Sequence, residues 1–265
     1  MAGLTVRESE LVDSPAHWPR IDLSVRVVAK PPQDPDYVDS HSARLRMRSG
    51  GTVVIDRACE RATFWMATPP LAGALVHPHL AGAAAVLSHW CGRDSFHAGA
   101  FVAGGGVWGL LGDKGAGKSS TLVSLARAGV PIVSDDVLVL DKATAYAGPR
   151  SIDLRTDAAR TLGAGQPLGR VGDRFRWRVP LGPVEPELPF CGWVTLRWGP
   201  EIGVRPVKGA DRIRELLRHR ALRVPPPDPR ALIELSALPL LELTRPRGWS
   251  SMEDTLGHLL GAVSN

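Results

Sequence analysis

The chain has 265 residues, enough for one large domain or two small ones with a sizeable core. Apolar content of 44% and charged content of 22% exclude a disordered, collagen-like or disulfide-dense chain. The net charge of +5 and the pI near 9.5 favour anionic partners such as nucleotides, phosphates, acidic peptides or nucleic acid, without choosing among them.

The three cysteines, Cys59, Cys91 and Cys191, lack metal or redox spacing and read as free thiols in a reducing, cytoplasmic setting. Met1 to Glu10 shows no basic start followed by an apolar run, so no signal peptide is expected. The most apolar stretch, Leu71 to Leu87, is rich in Ala and Gly and interrupted by His77, Pro78 and His79, which predicts no membrane span.

In chain order, Ile21 to Val27 alternates like a strand, and a Pro- and Asp-rich stretch follows. Arg44 to Arg48, the Gly50-Gly51 turn and Thr52 to Asp56 predict a hairpin. Pro78 suits the first turn of a helix running to Trp90. Phe96 to Ala103 and Val107 to Leu111 read as strands around a glycine turn. Lys118 to Ala128 reads as a helix closed by Gly129, and Ile132 to Leu140 as one strand. Arg174 to Val179 and Trp193 to Trp198 are further strands. Ala210 to Arg220, Pro229 to Leu238 and Met252 to Val263 predict helices. The eight tryptophans sit mostly in apolar context and read as core.

The strongest signal is Gly112-Asp113-Lys114-Gly115-Ala116-Gly117-Lys118-Ser119, which fits G-x-x-x-x-G-K-[ST] at every fixed position. A buried strand leads in and a helix, beginning with Lys118, Ser119 and Ser120, leads out. Glycines let backbone N–H groups converge on phosphate oxygens, and the helix aims its positive end at the same anions. Lys118 would reach the β- and γ-phosphates, and the Ser119 hydroxyl would ligate Mg²⁺. Binding of a nucleoside triphosphate, ATP with Mg²⁺, is the expectation.

Asp135 and Asp136 interrupt an apolar strand only 17 residues after Lys118. Charges there are costly unless paired, metal-bound or facing a site. Strand geometry sends neighbouring side chains to opposite faces, unless a bulge brings both round. One carboxylate would help hold Mg²⁺ and the other accept a proton from an attacking hydroxyl. His97 precedes the loop by about one hairpin. In Gly148 to Arg155, Ile152 and Leu154 share one face, and Asp153 and Arg155 the other. Arg174, Arg176 and Arg178 form a basic strand face, read as solvated or as a contact for phosphate or acidic substrate. The basic stretch from Arg212 to Arg223 lacks the aromatic interleaving of a single-strand stacking platform, so nucleic acid is not the expected partner.

His97, the loop, Asp135-Asp136, then Asp153 and Arg155, in this order, resemble HPr kinase/phosphorylase and its relatives. The resemblance covers residues 93–160 well. It implies transfer of the ATP γ-phosphoryl group to a serine, with Asp135 as catalytic base assisted by His97. It places Ser119, Asp136 and Asp153 around Mg²⁺, with Arg155 at the substrate or phosphate. The stretch Arg155-Thr156-Asp157 lacks the Gly-rich continuation of that family, and the N-terminal part does not resemble its usual first domain. The chain looks more like small divergent bacterial relatives that phosphorylate peptide hydroxyls, often as oligomers, so a homo-oligomer is implied.

The predicted fold is α/β: a P-loop kinase core with a mixed sheet, similar to HPr kinase and phosphoenolpyruvate carboxykinase. Residues 1–92 would form a β-rich region with one helix, and 93–265 the core with C-terminal helices. The acceptor is a peptide, a protein or a small molecule. A nucleotide switch or an inactive scaffold is the alternative, though the chain lacks an Asn-Lys-x-Asp base-reading motif and a Leu-Ser-Gly-Gly signature.

Overall fold

The computed structural model describes residues 14–47 and 50–264. It is a mixed α/β structure built on three sheets. The expected Arg44 to Arg48 strand is described up to Met47, and its end at Arg48 lies outside the described residues.

The first sheet joins β1 (Asp22–Val27), β2 (Tyr37–Val38), β3 (Ser42–Arg46), β4 (Thr52–Asp56) and β5 (Arg61–Met66) in the order β1-β5-β4-β3-β2. The hairpin appears as expected, with Arg46 opposite Thr52. β1 pairs in parallel with β5, a strand that sequence reading passed over. Along β5 buried residues alternate with less buried ones, and Val53, Ile55, Ala62 and Phe64 turn to one buried face. That face packs on α2 (Leu80–Trp90) through Ala83 and Val86.

Pro78 does not open this helix. A short α1 (Ala72–Ala74) and a π-type turn (Leu75–His79) come first, with a cis His77–Pro78 bond. His77 is extended, at φ −148° and ψ 123°. Proline crowds the residue before it out of the helical region, which explains the break.

The second sheet runs β6-β10-β11-β15-β8-β7-β9, and β17 and β16 extend it from β15. Its strands are β6 (Asp94–Phe96), β7 (Gly99–Ala103), β8 (Gly106–Leu111), β9 (Ile132–Ser134), β10 (Leu138–Asp141), β11 (Thr144–Tyr146), β15 (Glu187–Trp198), β16 (Gly203–Pro206) and β17 (Leu240–Arg245). β8 is parallel to β15, and β15 to β17, whereas β7 and β9 are antiparallel neighbours. Two expected strands are therefore split. Phe96 to Ala103 breaks at His97 into β6 and β7, and Ile132 to Leu140 breaks at the aspartates into β9 and β10.

Both faces of this sheet are covered, and all six residues of β8 are buried. One face carries Trp108, Leu110, Val194 and Leu196 against α3 (Lys118–Arg127) and α7 (Met252–Val263). The other carries Val107, Leu111 and Trp193 against α5 (Ala210–Arg218) and α6 (Pro229–Ala237). Trp193 meets Phe96 and Phe190 edge-on at 4.8 and 4.7 Å, and its indole N–H donates to the Leu235 carbonyl. Burial of such an aromatic contributes roughly 2–3 kcal/mol. Core placement holds for Trp193 and Trp108 but not for Trp249, which is exposed.

The third sheet, β12 (Ser151–Arg155), β14 (Arg174–Pro180) and β13 (Gln166–Val171), lies beside α4 (Thr156–Leu162). Beyond α5 the chain runs along β6: the His97 N–H donates to His219 and the Ala221 N–H to Ser95. Leu222 then enters the core under the N-terminal sheet. Among the described residues, no helix is long and apolar enough to cross a membrane.

Candidate functional site

β8 ends at Leu111, and the chain turns through Gly112 to Gly117 into α3. Gly112, Gly115 and Gly117 all take positive φ, a conformation open to glycine. At Gly117 close approach matters as well, because a Cβ there would lie 2.2 Å from Nη2 of Arg245.

Arg245 ends β17 directly against the loop and is 2% exposed. It donates to the Ala116 carbonyl and the Thr121 hydroxyl, and its Nε finds no acceptor. Burial pushes its pKa down to about 10. Among the described residues no carboxylate forms an ion pair with it. A buried cation without a counter-charge favours an anion at the loop beside it.

Lys118 is buried and donates to the Gly112 carbonyl at 2.6 Å, across the loop. Burial lowers its pKa, and Asp136, Asp135 and Asp113 oppose that shift. Ser119, one residue on, donates to both oxygens of Asp135, each at 3.2 Å. Asp113 points away into an ion pair with Arg218 at 2.7 Å.

The aspartate pair sits on the turn between β9 and β10. Asp136 has φ +66°, the left-handed region, which Asp tolerates better than most residues. This turn, rather than strand alternation, brings both carboxylates to one side. The buried Arg150 holds the strand before it, donating to the carbonyls of Ile132 and Val133. The two carboxylates differ in access: Asp135 is 4% exposed, whereas the Asp136 side chain is 29% exposed. Burial, then the neighbouring Asp136, raises Asp135. Burial would raise Asp136 too, but His77, His97, Arg176 and Lys118 together hold its carboxyl below the usual carboxylate range.

His97 lies close to Asp136, with Nδ1 3.0 Å from the Asp136 carbonyl oxygen. That contact is to the Asp136 backbone, where the resemblance pairs His97 with Asp135. A second imidazole, missed in the sequence, sits nearer the carboxylates. His77 is buried, with Nε2 3.2 Å from Oδ2 of Asp136 and 3.9 Å from Oδ2 of Asp153. His77, Asp135 and Asp136 each offer a ligand atom within 4.8 Å of the others. The extended backbone before Pro78 carries His77 into the site. Its neighbour His79 is pushed down to about 4 by burial, Arg176 and His77.

Asp153, expected at the metal, has a fully buried side chain gripped by Arg178, whose Nε and Nη2 donate to its two oxygens at 2.8 and 3.1 Å. Both oxygens accept hydrogen bonds from Arg178, which anchor the carboxylate, and Asp153 lines the cleft described below. Arg178 also donates to the carbonyls of Gly73 and His77, tying the π-type turn to the third sheet. The solvated reading of that basic face fails at Arg178, which is 7% exposed. Arg155 stands exposed at the end of β12.

One open cleft of about 950 Å³ gathers most of the predicted residues, including Lys118, Ser119, Asp136, His97 and Arg155. Asp135, hydrogen-bonded to Ser119, and the loop residues Gly112 and Ala116 do not line it. The cleft extends to Tyr37 and Leu45 of the first sheet and to Phe175 and Arg176 of the third.

No protein-family model matches the sequence, and no curated protein sequence matches it. Among solved structures the chain is similar to the HPr(Ser) kinase/phosphatase from Coxiella burnetii, at 12% identity and a TM-score of 0.33. The match covers 63% of this chain and 93% of that one. The likeness is too loose to place any residue.

Proposed function

We propose that this chain is an ATP- and Mg²⁺-dependent kinase that transfers the γ-phosphoryl group to a hydroxyl, serine in the simplest case, of a peptide or protein. The observation that carries the reading is the shared cleft. A carboxylate whose pKa its neighbours draw below the usual range, Asp136, opens onto the same space as the buried Lys118 and the hydroxyl of Ser119.

The division of labour that the geometry favours reverses the one implied by resemblance. Asp135 stays with Ser119, and their oxygens suit a hard divalent cation. Mg²⁺ there would neutralise charge on the phosphates. Asp136, the more open carboxylate, takes the acceptor proton, steadied by His77 at 3.2 Å. The acceptor oxygen then bonds to the γ-phosphorus, the bond from γ-phosphorus to the bridging oxygen breaks, and ADP carries that electron pair away. Lys118, the glycine-loop amides and Arg245 stabilise the phosphate charge. A cleft of about 950 Å³ that reaches Tyr37 and Phe175 leaves room for a peptide-sized acceptor.

The test compares Asp136→Asn with wild type, using γ-labelled ATP, Mg²⁺ and a serine-containing peptide library. Transfer should fall by roughly a hundredfold or more while ATP affinity by calorimetry holds. Transfer at the wild-type rate would overturn the assignment.

A further inference from the structure

The glycine loop has two flanks. The flank described above carries the carboxylates and imidazoles. The other opens into a second cleft of about 980 Å³, lined by the loop, Ser120 and a wall from β15, β17 and the turn before α7. Gly115, Gly117 and Ser120 border both clefts. Ser119 and Asp136 border only the first, and Trp198, Arg247 and Trp249 only the second.

That second wall has a distinct chemistry. The Arg245 guanidinium lies 4.5 Å from the centre of the Trp198 ring and Arg247 lies 5.7 Å from it. Trp249 stands 38% exposed at the rim, an indole left half-open beside a loop built for anions. Asp157, in the first turn of α4, adds a carboxylate that can accept from ring or amino N–H groups.

Resting on the triphosphate reading above, we propose that this cleft is the nucleobase subsite and that it takes a purine. A triphosphate whose γ end lies at Lys118, Ser119 and Asp136 runs past Ser120, and its nucleoside emerges on the second flank. Flat π surfaces there, the Trp249 indole and the Arg247 guanidinium, suit a two-ring base, and Asp157 suits its N–H donors. The buried Arg245 links the subsites: it touches the loop at Gly117 and stacks on Trp198.

Calorimetry with ATP, GTP, UTP and inorganic tripolyphosphate, each with Mg²⁺, tests this. Wild type should bind ATP or GTP at least tenfold more tightly than UTP or tripolyphosphate. Trp249→Ala with Arg247→Ala should cost about tenfold in purine nucleotide affinity and leave tripolyphosphate unchanged. Trp249→Phe should restore most of the loss. Equal affinity for all four ligands, or equal weakening of purine nucleotide and tripolyphosphate in the double variant, would overturn the subsite while leaving the loop reading intact. Failure of wild type to bind any of the four would remove the loop reading, and the subsite with it.

Discussion

The N-terminal sheet and the central sheet treat their burden differently. The central sheet is covered on both faces, and β8 has no exposed residue from which to yield. The glycine loop leaves the end of that strand. The N-terminal sheet buries one face, on α2, and its strands alternate between buried and exposed positions. It nevertheless borders the segment that delivers His77, since Leu75 belongs to its core. The glycine loop, Asp135, Asp136 and His97 are thus seated on the central sheet, whereas His77 follows Leu75 out of the N-terminal core, and it should be feasible to displace His77 without disturbing the loop.

The joint that seats His77 is Arg178, and its loss should have the largest effect. Arg178→Met leaves the Asp153 charge buried and frees the carbonyls of Gly73 and His77. A cost of about 4–5 kcal/mol in chemical denaturation is expected. Phosphoryl transfer measured below the transition should fall as His77 loses its seat. A cost under about 1 kcal/mol would show that the joint is slack.

Next comes Phe64→Ala, in the thin N-terminal core, where Phe64 is fully buried. It should cost about 3–4 kcal/mol. The two-core comparison requires that triphosphate affinity survive while transfer declines. An equal loss of both would mean that the cores are not separable.

The smallest effect is a pH dependence confined to the central sheet. Glu215 is buried, yet hydrogen bonds with His219 and Thr195 and the charge of Arg197 draw its pKa down to about 2. A depressed folded-state value gives stability that is fully present above the unfolded value of about 4.3 and is lost as pH falls from there to about 2. Wild type should lose roughly 2–3 kcal/mol across that window, and Glu215→Gln should flatten the slope. Denaturant midpoints at successive pH values would check it. Parallel slopes in the two proteins would remove Glu215 from the account.

The glycine turn between a strand and a helix was legible in the sequence because its parts are contiguous. Strand β8, with no polar residue, also announced its double burial. Asp135-Asp136 stood out as charges in an apolar run, but the left-handed turn that aims them did not. Alternation assumes a continuous strand, and this one stops at Ser134. His77 was invisible as a participant. It lies in the chain far from its carboxylate partners, and only the packing of two sheets brings them together. The sole hint was a His-Pro-His interruption in an apolar stretch. The burial of Arg178 was hidden for a related reason: alternation separates two faces of a strand but cannot say which one a distant segment, here the turn carrying Gly73 and His77, will cover. Arg245 gave no signal, because an arginine closing an apolar strand looks like any solvated strand end.

The turn at Asp136 also bears on what substitution can reach. Its backbone is comfortable for glycine, asparagine and aspartate and costly for nearly everything else. Of those three only aspartate brings a carboxylate. Glutamate keeps the charge but forfeits the backbone, and asparagine keeps the backbone but forfeits the charge. Under the role proposed for Asp136, position 136 therefore has a single occupant that satisfies both demands.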